Sequence, residues 1–269
     1  MTVSVKGAEL FYSTRGEGPV CLVPHMIGTK PLERLTPPQL SDRFRLVYVD
    51  LRGSGRSTGD PGDLTFDVLA DDLEAVRVDL GVERIAVLGY SILGVLAIEY
   101  GRRCPGSVSH VIAVGTPPRG DSGWLAPEQR RFFAEDASED RKLVLQDNLA
   151  TMPPSRAMLA QTPMRFFDAR FDAAPLFAEA DVKPGVLEHV LGPLTRDWDV
   201  TVGSSGLRVP LFIAQGRYDY IVPYRLWDGI VDKIPGATFR IFERSGHQPF
   251  FEEPDEFVAA LTSWMISVP

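Results

Sequence analysis

Two cysteines, Cys21 and Cys104, are too few for a disulfide framework and fall short of a zinc ligand set. Each lies in an apolar strand pattern or at a helix end, where a thiol packs as a small apolar group. Histidine is almost as scarce, with only His25, His110, His189 and His247. Positive charge is in deficit: 28 Lys and Arg against 36 Asp and Glu leave a net charge of −8, which excludes the electrostatic footprint of a nucleic-acid binder. The longest apolar stretch, Ile85 to Tyr100, is interrupted by two glycines, a serine and Glu99, and is too short and polar for a membrane span. The N-terminal MTVSVKGAELFYSTRG alternates like a strand and has no basic segment followed by an apolar one, so no secretory leader is expected. These absences lead us to expect a soluble, cytoplasmic chain acting on a small molecule, as a monomer or homodimer, with no nucleic-acid or membrane partner.

What is present is an ordinary globular composition, 44% hydrophobic and 24% charged over 269 residues. That length suits one large α/β domain, with or without an inserted cap. Strand-like runs lie at Ala8–Ser13, Val20–Pro24, Phe44–Val49, Arg84–Leu88, Val108–Val114, Val209–Ala214 and in TFRIFE at 238–243. Helical periodicity marks Thr65–Leu80, Ile92–Arg103, a segment near Tyr224–Lys233, and a last helix from Pro254 to about Ile266. Nearly continuous apolar strands such as RIAVLG and HVIAVG are what a parallel sheet covered on both faces requires. Residues 116–208 break the rhythm with short helical patterns and many aromatics. We therefore expect a mostly parallel sheet with helices on both faces, formed by residues 1–115 and 209–269, and a helical lid inserted at 116–208. Gly203-Ser-Ser-Gly206 reads as a linker from lid to sheet.

The chemistry is carried by three loops. In Gly89-Tyr-Ser91-Ile-Leu-Gly94, a serine sits where a strand pattern yields to a helix pattern, close to the G-x-S-x-G of a nucleophile elbow. Leu93 stands where the second glycine belongs. A serine nucleophile needs a base, an acid to hold the base, and two N–H donors for the oxyanion. His247 lies in a loop between a strand and the last helix, whereas His110 is mid-strand, His189 is in a lid helix, and His25 ends a strand at the sheet's carboxyl edge. Asp219, in QGRYDYIVP, follows a strand directly; alone, an Asp in such a turn is more often a turn former. Ser91, Asp219 and His247 come in the order nucleophile, acid, base, each after a strand whose carboxyl end is where ligands bind in such sheets. A rival, Gly53-Ser-Gly55-Arg-Ser-Thr58, imitates a dinucleotide fingerprint but has Thr58 for the third glycine and Pro61-Gly62 where the helix should begin. No organic cofactor and no metal are expected.

Taken together, VDLRGSGRST at 49–58, the elbow at 89–94, GRYDYIVP at 216–223 and SGHQPFFEEPDEF at 245–257 resemble the α/β-hydrolase-fold serine hydrolases, in detail the prolyl-aminopeptidase-like branch. The resemblance covers residues 3–115 and 209–266 and is weaker across the lid. It implies an α/β-hydrolase fold with Ser91 as nucleophile, His247 as general base and Asp219 as its orienter. It also implies oxyanion N–H groups from Ile92 and from the loop after VCLVPH, where Ile27 is chosen and Met26 is the alternative. That loop has Met26 where the family has glycine, and we expect Met26 and Leu93 to be linked departures, the packing being rebuilt around larger side chains. The expected activity is hydrolysis of a small ester, lactone or amide through an acyl-serine. Two alternatives stay open. A prolyl aminopeptidase would need lid acids for the substrate ammonium, with Glu128, Glu135, Asp136, Glu139 and Asp140 on offer. A slow or non-catalytic ligand-binding protein on the same fold is the other.

Overall fold

Gly7 takes a left-handed φ of 79° and turns the alternating N-terminus into an antiparallel hairpin of β1 (Thr2–Val5) and β2 (Ala8–Arg15). The computed structural model describes residues 1–203 and 206–268. Six further strands follow: β3 (Val20–His25), β4 (Arg45–Asp50), β5 (Ile85–Tyr90), β6 (Val108–Val114), β7 (Leu211–Gly216) and β8 (Ala237–Phe242). They form one eight-stranded sheet in the order β1-β2-β4-β3-β5-β6-β7-β8. Every pairing from β4 to β8 is parallel, so the fold is the mostly parallel α/β sheet expected.

Successive residues of the central strands enter opposite cores, as the two-residue strand period dictates. Leu22, Val87, Val111 and Ile213 join a core with Leu69, Leu73 and Val76 of the helix Phe66–Asp79 and with the helix Leu93–Arg103. Their neighbours Cys21, Val23, Ala86, Leu88, Ile112 and Phe212 join a second core with Leu32, Leu35 and, from the last helix Pro254–Ser267, Phe257, Leu261 and Trp264. Thr65 caps the helix Phe66–Asp79 by accepting the Val68 N–H at 3.2 Å. Both cysteines are free thiols, Cys21 buried and Cys104 half-buried. No helix among the described residues is long and apolar enough to cross a membrane.

Between β6 and β7 the described residues form helices and turns, chiefly Ser122–Asp136, Glu139–Thr151, Thr162–Arg165 and Pro184–His189, with no strand. A lone antiparallel bridge, Arg119 to Asp199, closes the neck of this insertion. The neck is fastened to the body where Trp198 Nε1 donates to Glu99 Oε1 at 2.8 Å. The Gly203–Gly206 linker lies in part outside the described residues, at positions 204 and 205. One expectation fails. Tyr224–Lys233 is not a helix but two 3₁₀ turns, Tyr224–Trp227 and Val231–Lys233. Gly229 between them has a φ of 67°, which no α-helix accommodates, and Trp227 is held inward by its indole N–H on Thr116 O at 2.9 Å.

Candidate active site

Ser91 sits on the turn between β5 and the helix Leu93–Arg103 with a φ of 59°, a left-handed conformation that costs a non-glycine residue on the order of 1–3 kcal/mol. Its N–H donates to Val114 O at 2.7 Å and its C=O accepts from Gly94 N at 3.0 Å, so both sides of the turn are held. The turn demands small residues at two positions. A Cβ on Gly89 would lie 2.3 Å from Leu93 O, and one on Gly94 would lie 1.9 Å from Thr116 Oγ1. The reading that Leu93 occupies the position needing a glycine is thus corrected. The close approach falls one residue later, on Gly94 against Thr116 in the loop after β6, and Leu93 buries its side chain in the core. Leu93 and Met26 are both buried and belong to the same large apolar cluster.

The loops after β7 and β8 bring Asp219 and His247 to this serine. His247 Nε2 lies 3.0 Å from Ser91 Oγ, and Nδ1 lies 2.8 Å from Asp219 Oδ2. Asp219 and His247 are almost wholly buried, while Ser91 keeps some exposure. Asp219 Oδ1 accepts the N–H groups of Ile221 (2.9 Å) and Val222 (2.8 Å), so one oxygen forms the turn and the other faces the histidine. An ionised carboxylate only accepts, so Nδ1 carries the imidazole proton and Nε2 is left to accept from the serine hydroxyl. Tyr90 lies against the imidazole, ring centroids 5.1 Å apart, and donates its hydroxyl to Gln248 Oε1 at 3.0 Å. Burial pushes the Tyr90 phenol well above its ordinary pKa.

Ile92 precedes the helix Leu93–Arg103 as its N-cap, so its N–H stands at the positive end of the helix dipole. Ile27 follows β3, and its carbonyl accepts from Asp181 N of the insertion at 3.1 Å. Among the described residues neither Ile27 N–H nor Ile92 N–H has a hydrogen-bond partner. His25, two residues before Ile27, is buried, and burial alone pushes its pKa down to about 3. Its Nε2 is 3.2 Å from Asp50 Oδ1 but poorly aligned for a hydrogen bond. This is contact between a neutral imidazole and a buried carboxyl, not an ion pair. His110 packs edge-on against Trp264, and His189 Nε2 meets Leu64 O at 2.7 Å, so neither belongs to the site.

Three residues not anticipated from sequence complete the surroundings. Tyr90 is one. Glu252 accepts Phe167 N–H of the insertion at 2.6 Å and Gly246 N–H at 2.7 Å, clasping the histidine loop. Burial raises its pKa to about 8, with the Asp219 charge adding a smaller push. In sequence, Glu252 looks like a helix-dipole acid among several, which conceals this role. Arg165 is the third: its carbonyl accepts the His247 N–H at 2.6 Å. No local pattern marks it. The acids weighed for an ammonium site are each engaged: Glu128 and Glu135 with Arg131, Asp136 with the Tyr220 hydroxyl, Glu139 with Lys142, and Asp140 with Arg170.

A family model described as alpha/beta hydrolase fold matches residues 18–254. The chain belongs to the alpha/beta hydrolase fold family. It is similar to the AB hydrolase superfamily protein YclE of Bacillus subtilis, with 30% identity over 96% of both chains. It is also similar to the pimeloyl-(acyl-carrier protein) methyl ester esterase of Sodalis glossinidius, with 33% identity over 83% of this chain and 84% of that one. Among solved structures, a proline iminopeptidase from Mycobacterium smegmatis superposes with a TM-score of 0.74 at 22% identity, covering 99% of this chain and 97% of that one. That identity shows a shared fold alone. The resemblance to the α/β-hydrolases is met, and the chain is an esterase-like hydrolase of that fold.

Proposed function

We propose that this α/β hydrolase cleaves a small carboxylic ester or lactone through an acyl-Ser91 intermediate. The observation that carries the reading is the unbroken chain Ser91 Oγ–His247–Asp219, with both links at 3.0 Å or shorter. In the first half-reaction Ser91 Oγ attacks the carbonyl carbon as its proton passes to His247 Nε2. Asp219 Oδ2 stabilises the imidazolium that forms and keeps Nδ1 protonated. Negative charge gathers on the carbonyl oxygen, toward which the unpaired N–H groups of Ile27 and Ile92 are available. His247 then hands its proton to the leaving alkoxide. In the second half-reaction a water, deprotonated by His247, attacks the acyl carbon and frees Ser91. Every proton is carried by these side chains, and the sequence of steps uses no cofactor or metal.

The esterase among the relatives supports the ester class. The aminopeptidase alternative is weaker, because the acids available for an ammonium group are paired elsewhere and the insertion residue pressed against the base is a cation, Arg165. A ligand-binding role would not need the strained Ser91 backbone or the aligned histidine. The test is labelling with a fluorophosphonate probe and mapping the adduct by mass spectrometry. Ser91 should carry the label, and Ser91→Ala should lose both labelling and ester turnover by several orders of magnitude, with residual catalysis of roughly 10³-fold over water. An alanine variant with wild-type turnover would refute the mechanism.

A further inference from the structure

Arg165 closes the short helix Thr162–Arg165 of the insertion, and its backbone is pressed against the segment that carries the base. Besides the bond from His247 N–H, a Cβ on Gly246 would lie 2.2 Å from Arg165 O. The Arg165 side chain is mostly enclosed. Its Nε is buried without a hydrogen-bond partner, and Nη2 donates to Gln161 Oε1 at 3.2 Å. No carboxylate forms an ion pair with it among the described residues. Arg102 Nε is likewise buried without a partner, but its Nη1 pairs with Glu99, and the other enclosed arginines also have charged or multiple acceptors. Arg52 grips Asp72 with two hydrogen bonds, and Arg141 donates to the carbonyls of Pro163, Phe166 and Phe167. Burial disfavours the Arg165 charge, and the Tyr90 phenol and the Asp219 carboxylate, which flank Ser91 and His247, partly offset that cost.

Arginine stays protonated in proteins, and a buried N–H of a charged donor, here Nε, is costly to leave without an acceptor even where Nη2 has found a neutral one. Such a group beside a nucleophile calls for an acceptor supplied from outside the chain. A guanidinium fork fits a planar carboxylate, with two donors meeting two oxygens. We propose that Arg165 receives a carboxylate borne by the substrate, so that the ester or lactone cleaved at Ser91 is an anionic one. This deepens the hydrolase reading and rests on it. The residue sets specificity; it takes no part in bond making or breaking.

The experiment compares paired esters on the intact protein. Monomethyl glutarate is set against methyl pentanoate, which puts the carboxylate on the acyl side. Acetoxyacetate is set against propyl acetate, which puts it on the alcohol side. Wild type should favour the anionic member of at least one pair by about tenfold or more in kcat/KM, the scale of a charge-assisted hydrogen bond. Arg165→Gln should erase that preference by lowering the anionic rate about tenfold while the neutral rate stays within about threefold, and Arg165→Lys should keep part of it. Equal losses for neutral and anionic esters would mean that Arg165 serves Asp219 or the fold, and would overturn the proposal. So would a wild type indifferent within both pairs, a result that needs no variant to fold. Calorimetric binding of monomethyl glutarate to Ser91→Ala reads recognition without turnover. Binding there that is lost in Ser91→Ala/Arg165→Gln upholds the carboxylate site even if the acyl-serine route fails. Turnover of neutral esters without preference leaves the hydrolase reading intact and removes this one.

Discussion

Replacing Leu93 with glycine restores the residue usual for a nucleophile elbow, and we expect it to harm the protein. Leu93 is 6% exposed and shares its cluster with Met26 and Ile92, so its loss opens a cavity in the core at the start of the helix that follows Ser91. Truncating a buried leucine to alanine costs about 2–5 kcal/mol. Its place at the first turn of a helix, where the backbone can partly close in, argues for the lower half of that range. Glycine adds up to roughly 0.5–1 kcal/mol of backbone entropy. A net loss of about 3 kcal/mol follows, or a fall in Tm of about 5 °C at an unfolding entropy of ~2.1 cal/mol/K per residue. No compensating relief exists at the serine. The tight approaches at the turn involve Leu93 O and Gly94 against Thr116, and both survive the substitution. Turnover per active site, with sites counted by fluorophosphonate titration, should be equal to or below wild type. An unchanged Tm would show that the leucine is not packed as described. A tenfold or greater rise in turnover would show that Leu93 obstructs the elbow, and the ligand-binding alternative would then be the better account of the natural protein.

His25 should steepen acid unfolding. Buried and neutral with a pKa near 3, it takes up a proton on unfolding below the ordinary value of about 6.5, so stability is lost as pH falls from about 6.5 toward 3, by up to ~1.4 kcal/mol per pH unit. Urea titrations of His25→Asn should show a shallower acid limb, and an identical slope would refute the assignment. Glu252 works in the opposite direction: with a folded pKa of about 8 it favours folding below its unfolded value of about 4.3, an advantage lost as pH rises through 8. Glu252→Gln should therefore flatten the stability profile between pH 5 and 8, and a slope equal to wild type there would count against it. Gly246→Ala drives a methyl into Arg165 O and should cost about 1–3 kcal/mol with a clear loss of ester turnover. Full turnover in that variant would mean that the contact between insertion and histidine loop is dispensable.

The amino-acid order alone determined the alternation of strands and helices, because a two-residue or 3.6-residue apolar period is a local property that survives without neighbours. It also marked Ser91, Asp219 and His247, since each stands just after an apolar strand in a loop of turn-forming residues. Local pattern misled at Tyr224–Lys233, where Trp227 is drawn into the core and Gly229 takes a positive φ. It misled again at Leu93, because the crowding that forbids a side chain comes from Thr116, on the far side of β6 in sequence. Only the folded chain brings His247 to Ser91 across 156 positions, and only there does Asp219 divide its oxygens between turn and imidazole. Arg165 and Glu252 are the furthest from legibility. An arginine or glutamate reads as a surface charge until packing removes its water, and what then surrounds it depends on loops far apart in sequence. Periodicity is set by adjacent residues, whereas desolvation and close approach are set by whichever segments the sheet order brings together.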